Sequence, residues 1–450
     1  MCEDSPNDGS MRMSPQLVAI LVLALVFLVS TTRSINMGAI AFAAAFGVGT
    51  LVADMDADAI FAGFPGDLFV VLVGVTYLFA IAKANGTTDW LVHAAVRLVG
   101  GRLALIPWVM FVLTGTLTAI GAVSPAAAAI VAPIALSLAA EHRISPLLMG
   151  AMVVHGAQAG GFSPISVYGT IVNGIVAREG LPGNEVVLFL ASLVANLIIA
   201  AIVFVTCGGL RLTATAIPAR QLATVGSGST PTGGGSGGTA DSAETAGTES
   251  SHLTPPRIAT LVALIALVVC ALGFDLDVGL TAVTLAVVLS VFWPETSKQA
   301  IGQITWPTVL LICGILTYVG VMQEMGTIDY AGNAVSEVGV PLIAALLICY
   351  IGAIVSAFAS SVGIMGALIP LAVPFLLEGT VSPIAMVSAL AVSATVVDVS
   401  PFSTNGALVL ANAQGVDRDR FFRQLMVYGG IIVAAAPAAV WLILIVPGFV

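Results

Sequence analysis

Charge is what this sequence most lacks: only 8% of its 450 residues are Asp, Glu, Lys or Arg, against about 25% in a soluble domain. A water-facing surface cannot be built from so few. With 58% hydrophobic residues and a mean hydropathy of +1.08, the chain needs a bilayer as solvent. Strand-like alternation is missing too, which excludes a membrane barrel. Five scattered cysteines (Cys2, Cys207, Cys270, Cys313, Cys349) show no C-x-x-C spacing, so neither a disulfide framework nor a metal site is implied. The net charge is −10 and no basic stripe carries interleaved aromatics, which leaves nucleic-acid binding without support. No H-E-x-x-H is present and no G-x-S-x-G or acid pair lies in the apolar spans, so an intramembrane enzyme is disfavoured.

What is present is a series of apolar runs, from near Leu17 to Val450, of the length that crosses roughly 30 Å of hydrocarbon. The first, between Arg12 and Arg33, has no convincing cleavage site and reads as a retained helix. Residues 213–256 differ from the rest: they are Gly/Ser/Thr-rich and cannot bury enough apolar surface to offset their ordering entropy, so they read as a disordered linker. The domain reading is therefore a tail (1–15), a first transmembrane repeat (16–212), the linker, and a second repeat (257–450).

The halves are related by duplication. Gly86-Thr87-Thr88-Asp89-Trp90 matches Gly326-Thr327-Ile328-Asp329-Tyr330 at an offset of 240. Pro133 matches Pro370, Ser145-Pro146 matches Ser382-Pro383, and Ser163-Pro164-Ile165-Ser166 matches Ser400-Pro401-Phe402-Ser403, all at 237. Each half reads as three spans, an amphipathic stretch (89–102; 327–338), two shorter arms (103–121 and 124–140; 341–358 and 361–378), a broken span (145–177; 382–414) and a last span (185–206; 425–447). If the arms enter and leave by one face, each half crosses five times and the halves must be inverted. The expected fold is thus all-α and polytopic, with about 10 spans and 2 re-entrant hairpins. Twelve of the fourteen basic residues fall on one side of this topology, which places both termini outside and the linker in the cytoplasm.

Helix breakers mark a central site where both repeats contribute: Ser124-Pro125-Ala126 and Ser361-Val362-Gly363 at the arm tips, and the Ser163 and Ser400 segments inside the broken spans. Backbone freed from helical bonding at membrane depth is tolerated where it lines a cavity or meets a ligand. Half-helix N-termini suit an anion; carbonyls and hydroxyls suit a cation. The candidate substrate-binding residues are Ser124, Ser163, Ser166, Ser361, Ser400, Ser403, Thr404 and Asn405. Two ionisable side chains lie well inside the spans, Asp398 and His155, and both are candidates for ion coupling. Each also has a structural reading, as a brace for broken backbone or a satisfied packing residue.

The runs 156–174 (GAQAGGFSPISVYGTIVNG) and 396–413 (VVDVSPFSTNGALVLANA) resemble the ion-transporter superfamily, and within it the dicarboxylate carriers of the MatC type. The similarity covers the chain outside the tail and linker. It implies re-entrant hairpins, a site shared by both repeats, elevator-type movement and a homodimer. Related divalent-anion:sodium symporters carry Ser-Asn-Thr at each hairpin tip; here the tips begin at Ser124 and Ser361, and only the serine is kept. The expectation is a secondary transporter of a small, malonate-like dicarboxylate in a bacterial inner membrane, with Na⁺ or H⁺ as coupling ion and no cofactor. An Na⁺/H⁺ antiporter or oxyanion exporter of the same superfamily is the alternative.

Overall fold

The computed structural model describes residues 14–33, 35–98, 102–214, 253–274, 276–328, 330, 341–358, 361–377, 379, 381–413 and 416–448. Most of the expected linker and of the second amphipathic stretch, and the tail to residue 13, lie outside the described residues.

The first half contains α1 (Pro15–Arg33), α2 (Met37–Leu51), short α3 (Ala57–Ala62), α4 (Gly66–Ala84), α5 (Thr87–Leu98), α6 (Leu105–Ala119), α7 (Ser124–Glu141), α8 (Pro146–Gly160), α9 (Val167–Arg178) and α10 (Glu185–Thr206). The second contains α11 (Pro255–Gly273), α12 (Val278–Phe292), short α13 (Pro294–Ile301), α14 (Trp306–Glu324), α15 (Pro341–Ser356), α16 (Ser361–Leu377), α17 (Pro383–Val396), a single turn at Val397–Val399, α18 (Thr404–Asn412) and α19 (Arg418–Val440). The described residues contain no strand.

The duplicated words of the sequence are helix punctuation. Ser145 and Ser382 cap α8 and α17, their oxygens accepting from Leu148 N and Ala385 N, and proline follows where its missing N–H costs nothing. Gly86 and Gly326, with φ of 75° and 67°, turn the chain out of α4 and α14 in the left-handed region.

Packing returns the same relation in space. Helix α4 packs on α12 and α14 on α2, while α6 and α7 pack on α8, and α15 and α16 on α17. The hairpins cross over: α7 packs on α18 of the other half, and α16 on α9. Two groups of helices result, α1–α4 with α11–α14, and α6–α10 with α15–α19.

The halves are inverted. Arg178, at the end of α9, lies 3.7 Å from Asp67 at the start of α4, and its neighbour Glu179 accepts from Gln323 Nε2 at the end of α14 (2.8 and 2.7 Å). The start of α4 therefore shares a face with the end of its counterpart α14. On the opposite face Asn36 Nδ2 donates to Pro307 O (2.9 Å), and Asn85 Nδ2 to Thr260 Oγ1 (2.7 Å).

Among the described helices, seven are long and apolar enough to cross a membrane. The leading arm of the first hairpin, α6, has 15 residues; at the helical rise that is roughly 22 Å, short of the roughly 30 Å of hydrocarbon. Both tips stop at the breaks of the broken spans, as the site contacts below show, which is the arrangement expected of re-entrant arms.

Candidate functional site

Each broken span is interrupted by the same device. Ser166 caps α9, its Oγ accepting from Gly169 N (3.1 Å) and donating within 2.5 Å of Gly161 O. Ser403 caps α18, its Oγ accepting from Gly406 N (3.2 Å) and lying against the carbonyls of Asp398 and Ser400. A Cβ at Gly169 would collide with Ser163 O, and one at Gly406 with Ser400 O, so only glycine lets the backbone close this turn. Ser163 Oγ donates to Ala119 O (2.8 Å), tying the first break to the end of α6, and Ser400 Oγ accepts from Phe402 N (3.3 Å). These four serines, expected as ligands, use their hydroxyls on backbone. Their effect is to fix two half-helix N-termini at the centre of the molecule.

The side chains that meet there are others. Asp398, 6% exposed, lies in the single turn after α17. Its Oδ1 accepts from Ser361 Oγ at the second hairpin tip (2.6 Å), and its Oδ2 from Gln158 Nε2 on α8 (2.7 Å). Gln158 Nε2 also lies 3.2 Å from Ser124 Oγ at the first tip, and Asn405 Nδ2 donates to the same oxygen at 2.8 Å. One continuous polar network thus joins both hairpin tips to both broken spans. Neither ion pair among the described residues involves Asp398. At the repeat offset its counterpart is Gly161, so the acid has no twin.

Gln158 is the member that sequence reasoning missed. It is an uncharged residue whose repeat counterpart, Thr395, is a different side chain, so a search for matched or ionisable positions passes over it. Its visible signal is an amide in an apolar span, three residues before the position that matches Asp398. Gln158 Oε1 and Asn405 Oδ1 are buried without a hydrogen-bond partner, the opposite of what buried amides normally show.

A cavity of about 460 Å³ adjoins the network. It is lined by Asp398, Ser361, Thr404, Asn405 and Tyr168 on one side and by Ser30, Asn36, Thr305 and Thr308 on the other, and no Lys or Arg among the described residues borders it. It extends to the face that carries the Asn36 to Pro307 contact.

His155 is placed elsewhere. Its Nδ1 lies 2.9 Å from Asn196 Oδ1 and its Nε2 2.7 Å from Tyr428 Oη. An amide oxygen only accepts, so Nδ1 carries the proton and Nε2 accepts from the tyrosine. The imidazole braces α8 against α10 and α19, outside the lining of the Asp398 cavity.

Residues 13–161 match the family model of the dicarboxylate carrier protein MatC N-terminus, and residues 280–447 that of the citrate transporter. Both models describe transporters, and the two matched stretches together take in most of the chain. This transporter has no match among curated protein sequences. Its structure is similar to that of the YdaH transporter of Alcanivorax borkumensis, with a TM-score of 0.55 over 95% of this chain and 98% of that one; at 13% identity the likeness concerns the fold alone. The chain is a multi-pass membrane transport protein of dicarboxylate and citrate carrier type, not an enzyme.

Proposed function

We propose that this transporter moves a small, malonate-like dicarboxylate across a bacterial plasma membrane, coupled to a cation held at Asp398, by elevator movement of α6–α10 and α15–α19 against α1–α4 and α11–α14. The observation that carries the reading is the cavity between the two helix groups: it meets one carboxylate, hydroxyls, two amides and two half-helix ends, with no basic side chain among the described residues. Such a lining suits an anion that travels with a cation, because helix ends and neutral donors offset part of its charge and the cation the rest. The cavity reaches the face carrying Asn36 and Thr305, which the distribution of basic residues makes cytoplasmic, so the arrangement is inward-open and both termini are outside. The opposite face is held shut by the Arg178, Asp67, Glu179 and Gln323 contacts.

Counterflow of labelled malonate into proteoliposomes preloaded with unlabelled malonate tests the substrate class. Exchange that citrate or succinate competes for is expected. An absence of exchange with all three, alongside Na⁺-dependent proton movement, would favour the antiporter alternative.

A further inference from the structure

The start of α19 is basic at the end where a helix favours the opposite sign. Arg418, Arg420 and Arg423 stand on its first two turns, against the partial positive charge of a helix N-terminus. The matching positions of the first repeat, Leu181, Gly183 and Val186, are uncharged. The acids of the same turn do not pair with Arg420 or Arg423. Asp417 caps the helix, its Oδ1 accepting from Asp419 N and Arg420 N (3.0 and 3.1 Å), and neither ion pair among the described residues involves these arginines. Both guanidinium groups stand at the head of a groove of about 480 Å³. Beyond Gln424 its walls are Val427, Tyr428 and Ile431 along α19 and Leu147 at the start of α8, and no Asp or Glu among the described residues borders it. Val427 and Ile431 are 63% and 58% exposed. From Arg423 to Ile431 the helix rises roughly 12 Å, close to half of the roughly 30 Å of hydrocarbon.

We propose that this groove binds one anionic phospholipid, its phosphodiester on Arg420 and Arg423 and an acyl chain along Val427, Tyr428 and Ile431. Guanidinium groups pair with phosphate oxygens through two parallel hydrogen bonds, and basic pockets between membrane helices hold anionic headgroups. The positive end of α19 adds to the same attraction, so the lipid turns an unfavourable placement of charge into a favourable one. Orientation in the membrane asks only for basic residues in the loops. It does not ask for an apolar groove of one leaflet's depth leading away from them.

The wall of the groove also reaches the interior. Tyr428 Oη donates to His155 Nε2 (2.7 Å), and the two rings stand edge to face. A chain packed on Tyr428 therefore bears on the brace that joins α8, α10 and α19, and occupancy raises the stability of this helix group. The site lies wholly on α8 and α19, and it needs neither substrate nor coupling ion.

The test uses purified full-length protein, delipidated in a neutral detergent. It is titrated with fluorescent phosphatidylglycerol, with phosphatidylcholine of the same chains, and with inorganic phosphate. Saturable binding of one phosphatidylglycerol per chain and a raised unfolding temperature are expected, with the zwitterionic lipid bound about tenfold more weakly or worse. Inorganic phosphate should neither displace the lipid nor raise the unfolding temperature, because it has no chain to fill the groove. Arg420→Gln with Arg423→Gln should weaken phosphatidylglycerol binding on the order of thirtyfold, at about fivefold for each arginine. Should that pair not remain monodisperse, Arg423→Gln alone should weaken it about fivefold. Arg143→Gln with Arg211→Gln, at a separate cavity by the start of α8, should leave binding unchanged. Equal binding of the two lipids, displacement by phosphate, or indifference to the Arg420 and Arg423 changes overturns the site. An equal loss from the Arg143 and Arg211 changes also overturns it, in favour of general attraction to a basic surface.

Discussion

Ser403 and Asn405 are two residues apart, and the sequence gives both the same standing, as polar groups beside a helix break. The fold separates them. The Ser403 hydroxyl is engaged by backbone at the start of α18, whereas the Asn405 amide reaches across to Ser124 and borders the cavity. Ser403→Ala, like Ser166→Ala, should therefore cost about 1 kcal/mol of stability, the usual worth of an N-cap, seen as a lowered unfolding temperature with substrate affinity little changed. Asn405→Ala should do the reverse: near-normal unfolding and a markedly raised half-saturation for malonate. Equal losses of affinity in Ser403→Ala and Asn405→Ala would return both to the role of ligand. Asp398→Asn keeps the shape and cannot ionise; it is expected to abolish gradient-driven accumulation while sparing part of the counterflow. Hydroxyl roles were not legible in sequence because a serine oxygen binds a helix N–H and a ligand with equal ease, and only backbone geometry decides between them.

At the scale of elements, the α9 to α10 turn bridges the two helix groups. Arg178 reaches Asp67 and the carbonyl of Gly63, and Glu179 reaches Gln323, all on the face opposite Asn36. Partial burial holds the Glu179 carboxyl above its ordinary value of 4.5, against the opposing effects of the Gln323 hydrogen bond and then of Arg178. Both contact partners favour the charged carboxylate, while burial opposes it. A disulfide between Glu179→Cys and Gln323→Cys should arrest transport until it is reduced. Helix positions such as α8 to α10 were readable from apolar runs and Ser-Pro starts. This contact was not, because it joins residues far apart in sequence through exposed polar groups that carry no periodicity.

At the scale of the whole molecule, the repeat was legible because the words that survive duplication, Ser145-Pro146 with Ser382-Pro383 and Gly86 with Gly326, are those that start and stop helices. What duplication hides is asymmetry: Gln158 faces Asp398 across the repeat boundary, while the counterparts are Thr395 and Gly161. That single acid has a consequence for voltage. If one monovalent cation is held at Asp398, as proposed, that site is neutral when loaded and a dianionic substrate gives the proposed moving unit two negative charges; returning empty, the unit would carry the one charge of Asp398. Each uptake cycle then brings in a net single negative charge, opposed by about 2.3 kcal/mol for every 100 mV of negative-inside potential. A valinomycin-imposed K⁺ diffusion potential, negative inside, should slow malonate uptake into proteoliposomes and speed its efflux. Uptake that instead accelerates would mean that further cations travel with the substrate, beyond the one that this lone carboxylate can balance.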